Sequence, residues 1–200
     1  MLAGFSHAPA VELAERLLAL APRQAGRAPL AKVFYADNGS AGVEVALKMA
    51  FHYFHNRGEH RRSKFIALEN GYHGDTSRMF HVGNVPVYLA QPGETAADCA
   101  TRAAKAMAAL LEHHAGEVCA VIVEPRVQCA GGMRMHDPSY LTQVRELCDA
   151  HGVLLIADEI AVGFGRTGPM FSCEESAVMP DLMCLSKGLT GGFLPLAAVL

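Results

Sequence analysis

The chain lacks most of what would mark it for a membrane, a nucleic acid or secretion. Its longest apolar stretches are too short to span a bilayer. Basic residues are not in excess: 17 Lys and Arg stand against 20 Asp and Glu, a formal net charge of −3. There is therefore no positive footprint for a phosphate backbone. No basic stretch leads into an apolar one at the start, so secretion is not expected. The six cysteines (Cys99, Cys119, Cys129, Cys148, Cys173 and Cys184) contain no Cys-x-x-Cys pair. Several lie in apolar runs, where cysteine acts as a small hydrophobe. A reduced, cytoplasmic chain without a disulfide framework is expected. Internal repeats are absent, as is low complexity beyond one alanine-rich stretch. His52 and His55 stand three apart on a predicted helix, but they share its polar face with Glu44 and Lys48, so no metal site is expected. What is present is apolar: 51% hydrophobic and 18% charged residues over 200 positions describe a folded chain with one sizeable core, or one and a part.

Periodicity predicts a helix over Pro9–Leu20, with Val11, Leu13, Ala14, Leu17 and Leu18 inward. A linker with Pro and Gly, Ala21–Leu30, follows. Val33–Ala36 reads as a strand, and Asp37–Ser40 as a turn that opens a helix with Val43, Ala46, Leu47, Ala50, Phe51 and Phe54 on one side. Further strands are predicted at Lys64–Leu68, Val85–Leu89, Val118–Val123, Val153–Asp158, Asp181–Leu185 and Leu196–Leu200. Helices are predicted over Ala96–His114 and Pro138–His151. Strands alternate with helices, so parallel βαβ units in an α/β fold are expected, with helices on both faces of the sheet. Residues 1–30 form an N-terminal helix and linker, and residues 31–200 one large domain. The sequence opens without an obvious cap to the sheet and stops inside a strand, so a piece of a longer fold is expected.

Four groups of residues carry chemistry at strand ends, where open α/β sheets bind ligands. Asn38-Gly39-Ser40 lies between a strand and a helix. A helix N-terminus with a glycine and a hydroxyl suits a phosphate, although Asn and Ser are also ordinary caps. Gly71-Tyr72-His73-Gly74 puts a ring in a glycine-flanked loop, to stack on a planar cofactor or simply to pack. Asp158 ends a strand, where it could hold a pyridine nitrogen protonated, cap a helix or bind Mg²⁺; Ile160 could cover the ring's other face. Lys187 follows the next strand, as an amine that forms a Schiff base or as an exposed end charge. An aspartate and a lysine converging at neighbouring strand ends are the pair that a pyridoxal phosphate enzyme needs. Glu124, ahead of Pro125, is a candidate orienting carboxylate or a plain strand-end charge. Gly163–Gly168 has glycines at dinucleotide-fingerprint spacing, but no helix pattern follows, which excludes that use. Its Arg166 either meets a carboxylate or is a loop charge.

Taken together, "DNGSAGVEVALKMA", "ENGYHGDT", "VEPRVQCAGGMRMHDPSYL", "LLIADEIAVGFGRTGPMFSCE" and "PDLMCLSKGLTGGFLPLAAVL" resemble the class III pyridoxal phosphate-dependent aminotransferases, with "SHAPAVELAERL" ahead of them. Within that class the chain is most similar to the biotin-synthesis branch. The resemblance implies a fold type I large domain without its N-terminal segment and C-terminal small domain. It implies Lys187 as Schiff-base lysine and proton shuttle, Asp158 on the pyridine nitrogen, Gly39 and Ser40 on the phosphate, Tyr72 on the ring and Ile160 behind it. Glu124 would serve the substrate side or support the site, with Arg166 a weaker correspondence. The activity implied is amino transfer from S-adenosylmethionine to 8-amino-7-oxononanoate, giving 7,8-diaminononanoate, by a homodimer. Another ω-aminotransferase, of ornithine or 4-aminobutyrate type, or an inactive truncated large domain, are the alternatives. The stretch from Thr76 to Pro92 is shorter than that class usually has.

Overall fold

The short apolar runs are strands because nearly every residue in them is covered on both sides. The computed structural model describes residues 6–75, 81–85 and 90–200. In chain order its strands are β1 (Phe34–Ala36), β2 (Lys64–Leu68), β3 (His81–Val85), β4 (Val118–Val123), β5 (Val127–Gln128), β6 (Arg134–Met135), β7 (Leu154–Asp158), β8 (Leu182–Leu185) and β9 (Ala197–Val199). β5 and β6 form a small antiparallel hairpin, while the others join one sheet in the order β1-β9-β8-β7-β4-β2-β3. From β3 to β8 all neighbours are parallel.

The sheet is mostly parallel, as expected from the alternation of elements, and its departure is at one side. β9 runs antiparallel to both of its neighbours, β8 and β1. It returns from β8 through a loop rather than a helix, so no crossover makes it parallel. β1 and β8, each antiparallel to β9, are therefore parallel to one another. The carboxyl ends of β1, β2, β4, β7 and β8 consequently share one edge. The predicted strand at Val85–Leu89 overlaps the described β3 only at Val85, and the rest of it lies outside the described residues.

Alternation across the strands builds two cores. Phe65, Ala67, Ala120, Ile122, Ile156, Cys184 and Val199 face α2 (Gly39–Asn56), which buries Val43, Ala46, Leu47, Ala50 and Phe54 against them. Ile66, Leu68, Val121, Val123, Leu155, Met183 and Leu185 face the other way, toward α1 (Ala8–Leu20), α3 (Ala96–His113) and α4 (Pro138–His151). Each such aliphatic side chain taken fully out of water is worth about 1.5–3 kcal/mol. The helix ends are specified locally. Asn38 accepts from the Ala41 N–H, Thr95 and Asp98 form a capping box, Asp137 precedes Pro138, and Gly152 closes α4 in a left-handed conformation.

The opposite edge of the sheet is closed by ions. Buried Arg145 reaches Asp181 at 2.7 Å and Asp149 at 2.8 Å, and Arg27 of the linker reaches the same two carboxylates at 2.8 and 3.1 Å. Asp181 also accepts from the Leu155 N–H. The linker is thereby tied beneath β7 and β8, away from the functional edge.

Candidate active site

At the carboxyl-end edge the strand-end groups line one cavity of ≈ 260 Å³. β1 ends and α2 begins at Asn38-Gly39-Ser40. Asn38 takes up the Ala41 N–H, and the first helical N–H groups, at Gly39 and Ser40, face the rim. Gly39 packs tightly on Ile160: a Cβ there would lie 3.1 Å from Ile160 Cδ1, and that side chain would have to shift to admit it. Gly74, at φ +103, lies on the Ser40 side chain so closely that any Cβ would overlap it. The loop after β2 is in this way pressed onto the first turn of α2, and it carries Tyr72 and His73 into the wall. Asp158, the last residue of β7, pairs in register with Cys184 of β8, and Lys187 follows three residues on. Asp158 and Lys187 both face the cavity.

The acids at this edge are held in different ways. Asp158 is 3% exposed, and its Oδ2 lies 2.7 Å from His73 Nδ1 while Oδ1 accepts from the Ile160 N–H at 3.1 Å. Glu124 accepts from the Tyr72 N–H at 3.3 Å and the Cys129 N–H at 3.2 Å, which joins the loop after β2 to the loop after β4. Burial raises its carboxyl above the usual range, against the opposing pull of His73. Tyr72 donates its hydroxyl to Asp75 at 3.1 Å, and that bond raises the phenol.

Glu159 points away from Asp158, as neighbours at a strand end do. It is fully buried, and its two oxygens accept from the Ser172 N–H (2.9 Å) and the Cys173 N–H (2.8 Å). Burial pushes its carboxyl from 4.5 up to about 7, the two backbone donors opposing and the Asp158 charge adding. The neutral form is thus the one the fold favours. Its contribution to stability is complete below pH 4.5 and is lost as pH rises through about 7. Between those limits the unfolding free energy should fall by about 3 kcal/mol from this group. Urea unfolding at pH 5 and pH 8 measures it. Glu159→Gln cannot ionise and should lose most of the difference, while starting less stable because its amide nitrogen cannot accept an N–H.

Gly39, Ser40, Tyr72, Glu124, Asp158, Ile160 and Lys187, all singled out from the sequence, meet at this one cavity. Arg166 does not. It is exposed in the turn between Gly165 and Gly168, both at positive φ, and that turn carries it off the cavity wall. The sequence reading passed over His73 as a site residue, although it sits between Tyr72 and Gly74 in the motif already marked. A histidine on a glycine-flanked loop beside a strand ending in aspartate was the available signal. Glu159 was passed over because the second acid of Asp-Glu reads as surface charge until the alternation is followed past the strand end. His55 stacks on Phe51 and its Nδ1 lies 3.1 Å from that of His60. Among the described residues no three His, Cys, Asp or Glu side chains are grouped to bind a metal.

The family model for aminotransferase class-III matches residues 1–200. The chain belongs to the class-III aminotransferases. An adenosylmethionine-8-amino-7-oxononanoate aminotransferase from Synechococcus elongatus is 47% identical over 213 residues, covering 98% of this class-III chain and 49% of that protein. The protein of the same name from Geobacter sulfurreducens is 42% identical and covers 100% of this chain and 48% of its own length. Among solved structures, the omega transaminase of Pseudomonas jessenii in complex with PMP superposes with a TM-score of 0.89 at 32% identity, over 100% of this chain and 48% of that one. The omega-transferase from Vibrio fluvialis gives 0.87 at 26% identity, over 99% and 50%. The class-III chain thus spans about half the length of the relatives it matches, and its sheet is the one those transaminases carry.

Proposed function

We propose that the protein carrying this chain is a pyridoxal 5′-phosphate-dependent aminotransferase that moves an amino group from S-adenosylmethionine to 8-amino-7-oxononanoate, giving 7,8-diaminononanoate. The observation that carries this is the meeting of Lys187, Asp158 and the start of α2 in a single cavity. The donor set suits the cofactor: an amine for the aldehyde, a buried carboxylate for the ring nitrogen, and helix N–H groups with a hydroxyl for the phosphate. Bound there, pyridoxal phosphate supplies an electron sink for the bond broken at the amine-bearing carbon of the donor.

The chain's own residues do the rest. Gly39 and Ser40 hold the phosphate. Tyr72 and Ile160, both on the cavity wall, would pack against the ring. Asp158, fixed by His73 and the Ile160 N–H, keeps a positive charge on the ring nitrogen, since an opposite charge at contact favours the protonated form. Lys187 would hold the aldehyde end of the cofactor, and its Nζ, once free, would be the base that takes up and returns the donor's proton. Glu124 fixes the Tyr72 loop from the substrate side. Arg166, off the wall, is given no part.

The donor and acceptor rest on the relatives of that name, at 42–47% identity here, against 26–32% for the omega transaminases. We further take residues 1–30 as a helix-and-linker segment docked on a large domain of residues 31–200. The whole protein works as a homodimer: exposed Met133, Met135, Phe193 and Leu194 crowd the two loops beside the cavity, and Phe193 is 92% exposed. Six free cysteines, five of them buried, fit a reduced cytoplasm. The test is amino transfer to 8-amino-7-oxononanoate with S-adenosylmethionine, ornithine or 4-aminobutyrate as donor. Product is expected with S-adenosylmethionine alone. Transfer from either ω-amine, with none from S-adenosylmethionine, would reassign the substrate.

A further inference from the structure

Two residues near the lysine hold a backbone conformation that L side chains rarely adopt. Lys187 has φ +23 and Phe164 has φ +59. Such positions persist only where their surroundings over-determine them. For Lys187 the surroundings are supplied through the next residue. Gly188 lies on the Phe164 ring so closely that a Cβ at 188 would stand 2.8 Å from Phe164 Cδ2 and 2.9 Å from its Cβ. The Phe164 ring is seated edge-on against Phe171, with centroids 5.6 Å apart and planes at 69°. Phe171 is fully buried. Its N–H is taken by Glu174, and the two residues after it are pinned by the Glu159 carboxylate. Glu159 is the neighbour of Asp158. A continuous packed line therefore runs from the acid at the end of β7 to the turn beyond β8, through Glu159, Phe171, Phe164 and Gly188. A residue larger than glycine at 188 has no room along it, and a side chain cut back to a methyl group at 164 leaves the turn unsupported.

We propose that Phe164 is a positioning residue: wedged between Phe171 and Gly188, it fixes the left-handed turn that aims the Lys187 amine into the cavity. This role rests on Lys187 being the residue that condenses with pyridoxal phosphate.

The test uses the complete polypeptide that carries this sequence, as wild type, Phe164→Ala and Phe164→Leu, and reads no turnover. The first measurement is labelling of Lys187 by pyridoxal phosphate and borohydride. Amine and aldehyde condense with loss of water, hydride adds to the carbon–nitrogen double bond, and peptide mapping compares Lys187 with Lys32, Lys48, Lys64 and Lys105. The second is affinity for 4′-deoxypyridoxine 5′-phosphate, which has the ring and phosphate but no aldehyde. Phe164→Ala should label Lys187 about tenfold more slowly and bind the analogue within about twofold of wild type, because only the turn is released. Phe164→Leu, which still fills the wedge, should stay near wild type in both. Unchanged labelling in Phe164→Ala would overturn the proposal. So would a parallel loss of analogue affinity, which would make Phe164 a general support of the fold. A wild-type protein that neither labels at Lys187 nor binds the analogue would instead defeat the cofactor assignment, and the Phe164 role with it.

Discussion

A Lys187→Ala protein should carry no covalent pyridoxal phosphate and should lose turnover by about 10⁴-fold or more, because one group is removed that serves both as attachment point and as base. The size of the effect follows from its isolation. Lys187 is the one lysine on the cavity wall among the described residues. Lys64 is engaged with Glu117 at 2.6 Å at the amino end of β2, on the far edge of the sheet. Lys32 lines a separate surface depression with the linker. Neither can reach across. Reduction of the wild-type protein with borohydride, followed by peptide mapping, should place the label on the peptide containing Lys187. A label on any other lysine, or covalent cofactor retained in the alanine variant, would remove the assignment.

Asp158→Asn should keep the cofactor but lose about 10²–10³-fold in turnover, the range seen when one fixed electrostatic partner of a developing charge is deleted. The side chains are of one size, and an asparagine oxygen can still accept from the Ile160 N–H, now at 3.1 Å from Oδ1. What it cannot do is hold a positive charge on the ring. A neutral ring is the poorer electron acceptor, so the loss should fall on turnover far more than on cofactor affinity. Steady-state kinetics with saturating cofactor, beside a cofactor titration, separates the two. Turnover within a few-fold of wild type would show that Asp158 does not face the ring nitrogen. His73, at 2.7 Å, makes the substitution informative in a second way, since it is the side chain that fixes the carboxylate's orientation in the native protein.

Much of the fold was legible because buried parallel strands and amphipathic helices leave strong local signatures. Pro138–His151 has the predicted limits, marked by Asp137 and Pro138 at one end and Gly152 at the other. Leu196–Leu200 was recognised as a strand, but its direction was not, because direction depends on where the loop from Lys187 leads rather than on the strand's own residues. The β5–β6 hairpin was missed because two-residue strands carry no periodicity. In the site, residues at strand ends were legible as types, and their convergence followed from a parallel sheet. His73, Glu159 and Phe164 were not. Each acts through a contact distant in sequence: 85 residues for His73 to Asp158, 13 for Glu159 to Ser172, and the turn at Gly188 for Phe164. Arg166 is the one marked residue that does not line the cavity; it sits in the exposed turn between Gly165 and Gly168.

The antiparallel insertion of β9 sets the span of sequence over which this sheet must close. Among the described strands β1 pairs only with β9, so the strand that leads into Asn38, Gly39 and Ser40 hydrogen-bonds to the sheet through Ala197–Val199 alone, while α2 behind it packs across the sheet face. Ser40 and Lys187, which line one cavity, stand about 150 residues apart in the sequence, by the difference between positions 40 and 187. The strand ahead of Ser40 takes its sheet hydrogen bonds from Ala197–Val199, which lies between it and β8. Closure over so long a separation is slow. A chain halted before residue 197 lacks the strand that pairs with β1, and that edge of the sheet is then expected to stay open.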